Sequence, residues 1–380
     1  MIIRKIVPFL SVVIMTACSS VSEDPNTIHI DINKARKENF SEWFSGVDII
    51  PLETNESSIL YNCEKIVYEY QRFYIHDFRQ YAIFVFDSLG NFLFSTLPLI
   101  GQGPGQFLSM TDFLISPITG NIEILDAFSQ IIRVYDKDGK FIENKILSAD
   151  LLPLGTFVQL TADLYLFCSA DYEKKEKTTI KVFSVGKRKI VNNIVSLPEN
   201  TKRLGVTDRI VFKRMNDNIL FTFKFYNNDI YQIDTTASVI AHYQYDFGKY
   251  TLDLRSLLPD QEPSYYGSEF MERSKNNYIL PLSKHENEKY RFCFFVFKEE
   301  LYISRQNKET LQTDVIFNKF TGGGQVLPPL HLDEYYIYNK AEPSWLKEML
   351  TEEMLSPEQQ EIVSGINEFD NQIILRYKLK

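Results

Sequence analysis

The sequence is short of the residues from which most catalytic and nucleic-acid sites are built. Among 380 residues there are five histidines and four cysteines. His29, His76, His242, His285 and His331 form no His-x-x-x-His pair and no zinc-type spacing, so no metal centre is expected from local sequence. No Gly-x-Ser-x-Gly elbow marks a serine nucleophile. Positive charge is in deficit: the formal net charge is -9 and no basic stripe is concentrated anywhere, which makes nucleic acid a poor partner. After the first 17 residues no apolar run approaches the ~20 residues that span a bilayer. Glycine is sparse too, at 16, against 22 tyrosines and 29 phenylalanines. That aromatic excess suits β-strands, whose pleated surfaces favour such side chains.

The N-terminus reads as an export signal. Arg4 and Lys5 precede a short apolar run, Ile6 to Met15, and then Thr16-Ala17-Cys18. Small residues before a cysteine resemble the lipobox of bacterial lipoproteins, with Met15 standing where leucine is commoner. The expectation is cleavage after residue 17 and a lipid on Cys18. Residues 18–27 then form a polar tether without hydrophobic periodicity. Cys63, Cys168 and Cys293 are odd in number and each lies in an apolar run, which predicts buried free thiols.

A repeat organises the remainder, 28–380, as one domain. Tyr74–Leu93 aligns without a gap to Glu123–Ile142, sharing Ile75/Ile124, Asp77/Asp126, Ile83/Ile132, Val85/Val134, Asp87/Asp136, Gly90/Gly139 and Phe92/Phe141. Related strands open at Ile180 and Ile230, so the starts are spaced 49, 48 and 50 residues apart. Each unit reads as strand, loop, strand, tight turn, strand. Asp87-Ser-Leu-Gly90 and Asp136-Lys-Asp-Gly139 supply the turns. Units of this length, four strands each, are blades of a β-propeller. Six fit, near residues 58–98, 107–147, 155–197, 207–247, 268–317 and 327–380. In the fifth, Tyr278–Ser283 and Arg291–Phe297 read as strands with a charged loop between them. The last blade carries a short helical insert at 343–366, opened by Ser356-Pro357-Glu358, with Trp345, Leu346, Met349 and Leu350 on its apolar side. Ring closure is expected from Val47–Glu53 beside the C-terminal strand, since an open ring would expose two sheet edges.

Ile100-Gly-Gln-Gly-Pro-Gly-Gln-Phe107, followed by the Ile-x-Val-Tyr-Asp-x-x-Gly-x-Phe pattern through Phe141, resembles NHL-type repeats. With Ile49-Ile-Pro-Leu-Glu-Thr54 and Glu368-Phe-Asp-Asn-Gln-Ile-Ile-Leu-Arg-Tyr-Lys378, the chain resembles the six-bladed β-propeller lipoproteins of Bacteroidota. Gln372 departs from the proline expected after Asp-Asn. The resemblance implies the all-β fold and a place in the cell envelope, at the outer membrane. It implies no reaction, because one fold hosts many functions.

Candidate sites follow from the blade pattern. Gly101–Gly105 lacks the Lys-Ser/Thr of a phosphate loop and is expected to join two blades, so no cofactor is implied. Asp77 and Asp126 recur at one repeat position and are expected to cap loop N–H groups. Loops between second and third strands share a face with the inter-blade connections. That rim would carry Arg79, Tyr81, Gln102, Gln106, Phe128, Ser129, Tyr226, Asn228 and, in the loop Lys284–Lys289, His285. Aromatic rings beside amide and guanidinium donors suit a glycan, peptide or protein ligand. The expected function is therefore a binding or scaffold lipoprotein, attached to the membrane through Cys18. The alternative is a metal-dependent propeller hydrolase or lyase whose channel site could draw on His76 and His285.

Overall fold

The computed structural model describes residues 26–152, 154–168, 179–196, 212–222, 228–251 and 277–380. Cys18 and Tyr226 lie outside them. Six separate sheets form, each ordered from an innermost to an outermost strand. The first blade runs Cys63–Glu69, Arg72–Asp77, Ala82–Asp87 and Phe92–Ser95. The second, third, fourth and fifth begin with Met110–Ile115, Thr156–Gln159, Phe212–Met215 and Leu280–Glu286. The sixth begins with His331–Leu332, continues through Tyr336–Ala341 and Ile373–Leu379, and ends with the N-terminal strand Phe44–Pro51.

The blades close a ring, and the packing explains why their strands are apolar on both faces. Six hydrophobic clusters each join two neighbouring blades. Tyr74, Val85, Phe113 and Tyr135 fill the space between the first and second, and Leu125, Val134, Phe167 and Phe183 that between the second and third. The series continues around to Ile50, Tyr338 and Ile374, which pack on Ile66, Phe73 and Phe84 of the first blade. Along Arg72–Asp77, Phe73 and Ile75 face one neighbour while Tyr74 faces the other, as the two-residue period of a strand requires. Cys63, Cys168 and Cys293 are free, buried, and divided among three different inter-blade clusters. Burial pushes each thiol up to about 12.

The repeated turns have a shared chemistry. Asp87 Oδ1 accepts from the N–H groups of Leu89 and Asn91, and Asp136 Oδ1 from those of Asp138 and Lys140. Gly90 takes a φ of +91°, and a Cβ there would fall 2.1 Å from the Pro51 carbonyl oxygen. The turn thus presses against the closing strand, and Glu53 N–H donates to Gly90 O at 2.8 Å.

Three details depart from the sequence reading. Thr27–His29 adds a fifth, parallel strand to the fourth blade, beside Val239–Asp246. Three residues carry too little periodicity to announce a strand. The charged stretch after Ser283 is not a rim loop: Leu280–Glu286 is one continuous strand, and only residues 287–289 turn. The insert lies between the second and third strands of the sixth blade, where Leu346, Met349, Leu350 and Met354 bury against Trp43 and Val326. Trp345, read as part of that apolar side, is 54% exposed. Its last helix starts as expected: Ser356 Oγ accepts from Gln359 N–H, Gln359 Oε1 from Ser356 N–H, and Pro357 occupies the first turn.

Candidate functional site

Each innermost strand is paired on one side only, so its other edge faces the central channel. All six contribute to one cavity of about 160 Å³. Its wall includes Lys65 and Glu69 of the first blade, Leu114 of the second, Phe157, Val158 and Gln159 of the third, Lys213 and Arg214 of the fourth, His285 and Glu286 of the fifth, and His331 of the sixth. In most blades these residues fall in the C-terminal half of the innermost strand. The cavity therefore lies toward the turns joining first and second strands. The loops joining second and third strands are at the other end.

Charged side chains on this wall bridge neighbouring blades. Lys65 Nζ donates to Asp112 Oδ1 at 2.7 Å and to Phe113 O at 2.6 Å. Asp112 is fully buried and its other oxygen accepts from Thr156 Oγ1 and from Phe157 N–H, so one carboxylate ties three consecutive blades. Lys213 Nζ donates to Lys284 O at 2.5 Å and to His285 Nε2 at 2.9 Å. An ammonium can only donate, so that imidazole nitrogen accepts and the ring is neutral. Ser283 Oγ approaches the same nitrogen at 2.6 Å. Arg214 reaches back to the Gln159 carbonyl of the third blade. Glu286 is held by Gln232 at 2.7 Å, Lys308 at 3.0 Å and Arg291 at 3.3 Å.

The two imidazoles are held neutral by their surroundings. Burial, then the Lys213 charge and His331, push His285 well below the usual histidine range, against an opposing backbone hydrogen bond to Pro329. Burial lowers His331 to about 4, with Asp333 opposing and Lys213 adding to the effect. A histidine with a depressed folded pKa binds fewer protons folded than unfolded. Its stabilising contribution is complete above the unfolded value near 6.5 and is lost as pH falls toward 4. Urea unfolding should therefore show a loss on the order of 2–3 kcal/mol from His331 between pH 7 and pH 4. His331→Gln should flatten that slope. An unchanged slope in the variant would assign the acid sensitivity to other groups.

The residues expected at the loop rim are mostly there, but they do not form one site. Arg79 and Tyr81 lie in the loop between second and third strands of the first blade, both exposed, and the Arg79 guanidinium sits 5.5 Å from the Tyr61 ring. Tyr81 has a φ of +52°. Phe128, 76% exposed, occupies the equivalent loop of the second blade. Gln102 is exposed in the inter-blade connection. Gln106 instead staples its own loop: its Oε1 accepts from Gly103 N–H at 2.8 Å and its Nε2 donates to Pro98 O at 3.3 Å. Asn228 is half-buried, and its carbonyl accepts from Tyr245 N–H. His285 corrects the rim assignment. It is a buried wall residue of the fifth innermost strand, in the other half of the channel, because the strand runs on through Glu286.

Asp77 and Asp126 are frame residues. Asp77 accepts from the N–H groups of Arg79, Gln80, Tyr61 and Asn62, and Asp126 from those of Ser129 and Leu108. Each buried carboxylate thus fixes a loop against the incoming connection. Lys65, Lys213 and Arg214 were not singled out from sequence. The available signal was a cation in the opening strand of a repeat, which is the strand that borders the channel.

Among the described residues, no three His, Cys, Asp or Glu side chains converge to hold a metal ion, and no helix is long and apolar enough to cross a membrane. A family model described as "Domain of unknown function (DUF4934)" matches residues 25–378. No curated protein matches the sequence. A candidate exported protein of Bacteroides fragilis NCTC 9343 is similar over 93% of this chain and 99% of its own, at 18% identity and a TM-score of 0.73. A member of the duf4221 family from Bacteroides vulgatus ATCC 8482 is similar over 88% of this chain and 98% of its own, at 11% identity and a TM-score of 0.50. At these identities the likeness is one of fold.

Proposed function

The chain belongs to the family described as Domain of unknown function (DUF4934), and on that premise we propose that it is a binding module of the cell envelope, tethered through Cys18. Its ligand site is the channel cavity. The carrying observation is the cavity wall itself, where six blades bring apolar groups, two neutral imidazoles and several charges around one space of about 160 Å³. Ligand sites are typically concave and largely apolar, with a few placed polar groups. The volume is below the roughly 300–1,000 Å³ of drug-sized pockets. It suits a group the size of one sugar or amino acid, such as the end of a glycan or peptide. The envelope location is supported by Arg4, Lys5 and the Thr16-Ala17-Cys18 sequence.

A thermal-shift screen of mono- and oligosaccharides, amino acids and short peptides tests the site. At least one compound should raise the melting temperature of the wild-type protein. The effect should vanish in Val158→Trp, which fills the cavity, and persist in Tyr81→Ala on the loop rim. Loss in the rim variant and retention in the channel variant would place the ligand on the loops instead.

A further inference from the structure

We propose, on the basis of the channel reading above, that the ligand presents an oxyanion and that the wall carrying Lys213 and Arg214 receives it. The group is a carboxylate, sulfate or phosphate on a small molecule, with its apolar body against Phe157, Val158 and Leu114.

Lys213 and Arg214 are consecutive on the innermost strand of the fourth blade, so they point to opposite faces of that strand. Lys213 reaches the fifth blade and Arg214 the third. Two cations therefore spread along one arc of the wall, and both border the cavity. The neutral imidazoles of His285 and His331 border the same cavity from the fifth and sixth blades. The whole chain carries a formal net charge of -9, so a cationic arc inside it is a local concentration against the general balance.

Of the two acids on the wall, Glu286 is taken up by other partners. It is engaged by Arg291, Lys308 and Gln232, which bind it from its own blade and the fourth. Burial lowers the Arg214 pKa, opposed by the carboxylates of Asp217 on its own blade and, more weakly, of Glu69 on the first blade. Burial raises the Glu69 pKa, with the Arg214 charge opposing it. Burial is the main cause of the two depressed imidazole pKa values, and the Lys213 charge adds to it in both. A low-dielectric cavity with fixed donors strengthens hydrogen bonds to a charged acceptor.

The experiment measures melting temperature against sodium sulfate, sodium phosphate and sodium acetate, each compared with sodium chloride at equal ionic strength. Wild-type protein should show a saturable stabilisation beyond chloride with at least one oxyanion. Sulfate and phosphate acting without acetate would assign a tetrahedral anion, and acetate acting alone a carboxylate. Lys213→Met should weaken the apparent affinity roughly tenfold or more, the size of one lost charge-assisted hydrogen bond. Because Lys213 also braces two blades, Val158→Trp provides a second variant that occludes the cavity and keeps the cations. Circular dichroism would confirm that both variants are folded. Saturable stabilisation lost in both supports the proposal. No excess over chloride, or an equal excess in both variants, overturns it. If the oxyanions fail while a screened neutral compound still depends on Val158, only the oxyanion assignment falls. If no ligand effect depends on Val158, the channel reading falls as well.

Discussion

A chain beginning at Thr54 should fail to fold cooperatively, although it loses only two blade strands, Thr27–His29 and Phe44–Pro51, and retains the whole channel wall. Such a truncation removes Phe44–Pro51, which pairs along Ile373–Leu379 and supplies the outermost strand of the sixth blade. Trp43, Phe44, Val47, Ile49, Ile50 and Leu52 are all buried in the two clusters that flank this blade. At about 1.5–3 kcal/mol for each large apolar side chain removed from water, their loss is on the order of 10 kcal/mol. That rivals the net stability of a typical domain, about 5–15 kcal/mol. The new edge of Ile373–Leu379 would also be open to pairing with other chains. Urea unfolding followed by tryptophan and tyrosine fluorescence should show no sigmoidal transition, and gel filtration should show aggregate. A sharp transition at a denaturant concentration near that of the intact chain would mean that the ring does not depend on its closing strand.

Asp112→Ala should be the most destabilising single substitution among the innermost strands, at about 3–5 kcal/mol. The carboxylate is fully buried, accepts from Lys65 and from Thr156, and so joins the first, second and third blades. Removing it leaves the Lys65 ammonium, itself mostly buried, facing an uncompensated hole. Burying an unpaired charge costs more than forming the pair ever returned. Asp112→Asn keeps acceptor capacity for Lys65 or Thr156 and should lose less. The double variant Lys65→Met/Asp112→Leu should recover part of the loss, since replacing both partners by apolar groups removes the orphan. Equal stability of Asp112→Ala and wild type would show that the inter-blade packing carries these strands without the carboxylate.

The ring was legible in the sequence because its construction repeats. A blade strand buried on both faces is apolar throughout, and the turn after the third strand needs an aspartate to accept N–H groups and a residue able to take positive φ. Asp87/Gly90 and Asp136/Gly139 print that requirement twice, and Asp234 accepts from Thr236 and Ser238 in the same way with Ala237 at a φ of +63°. The closing strand stands out in sequence as Val47–Glu53 for a different reason: it is an apolar run with no repeat unit of its own.

The site was less legible, for physical reasons. A charged segment in sequence usually signals a solvated loop, and Lys284-His285-Glu286 reads that way. In an innermost strand, however, one edge borders a polar channel, so charge and strand coexist there. Spacing along the chain gives blade membership but not which polar groups from different blades meet. Lys213 and His285 are 72 residues apart and in hydrogen-bond contact. Gln106 misleads in the opposite sense: its amide looks available for a ligand and is used to hold its own loop. Even so, Arg79, Tyr81 and Phe128 do reach solvent where the blade pattern puts them.

The channel claim is tested most directly by hydrogen–deuterium exchange with and without the compound that stabilises the protein most. The innermost strands leave one edge of backbone N–H groups facing the channel, so their exchange reports what fills it. Binding is predicted to slow exchange in peptides covering 63–69, 156–159, 212–215 and 280–286, with little change in the loops at 78–81 and 127–130. Protection confined to those loops, with the innermost strands unaffected, would contradict it.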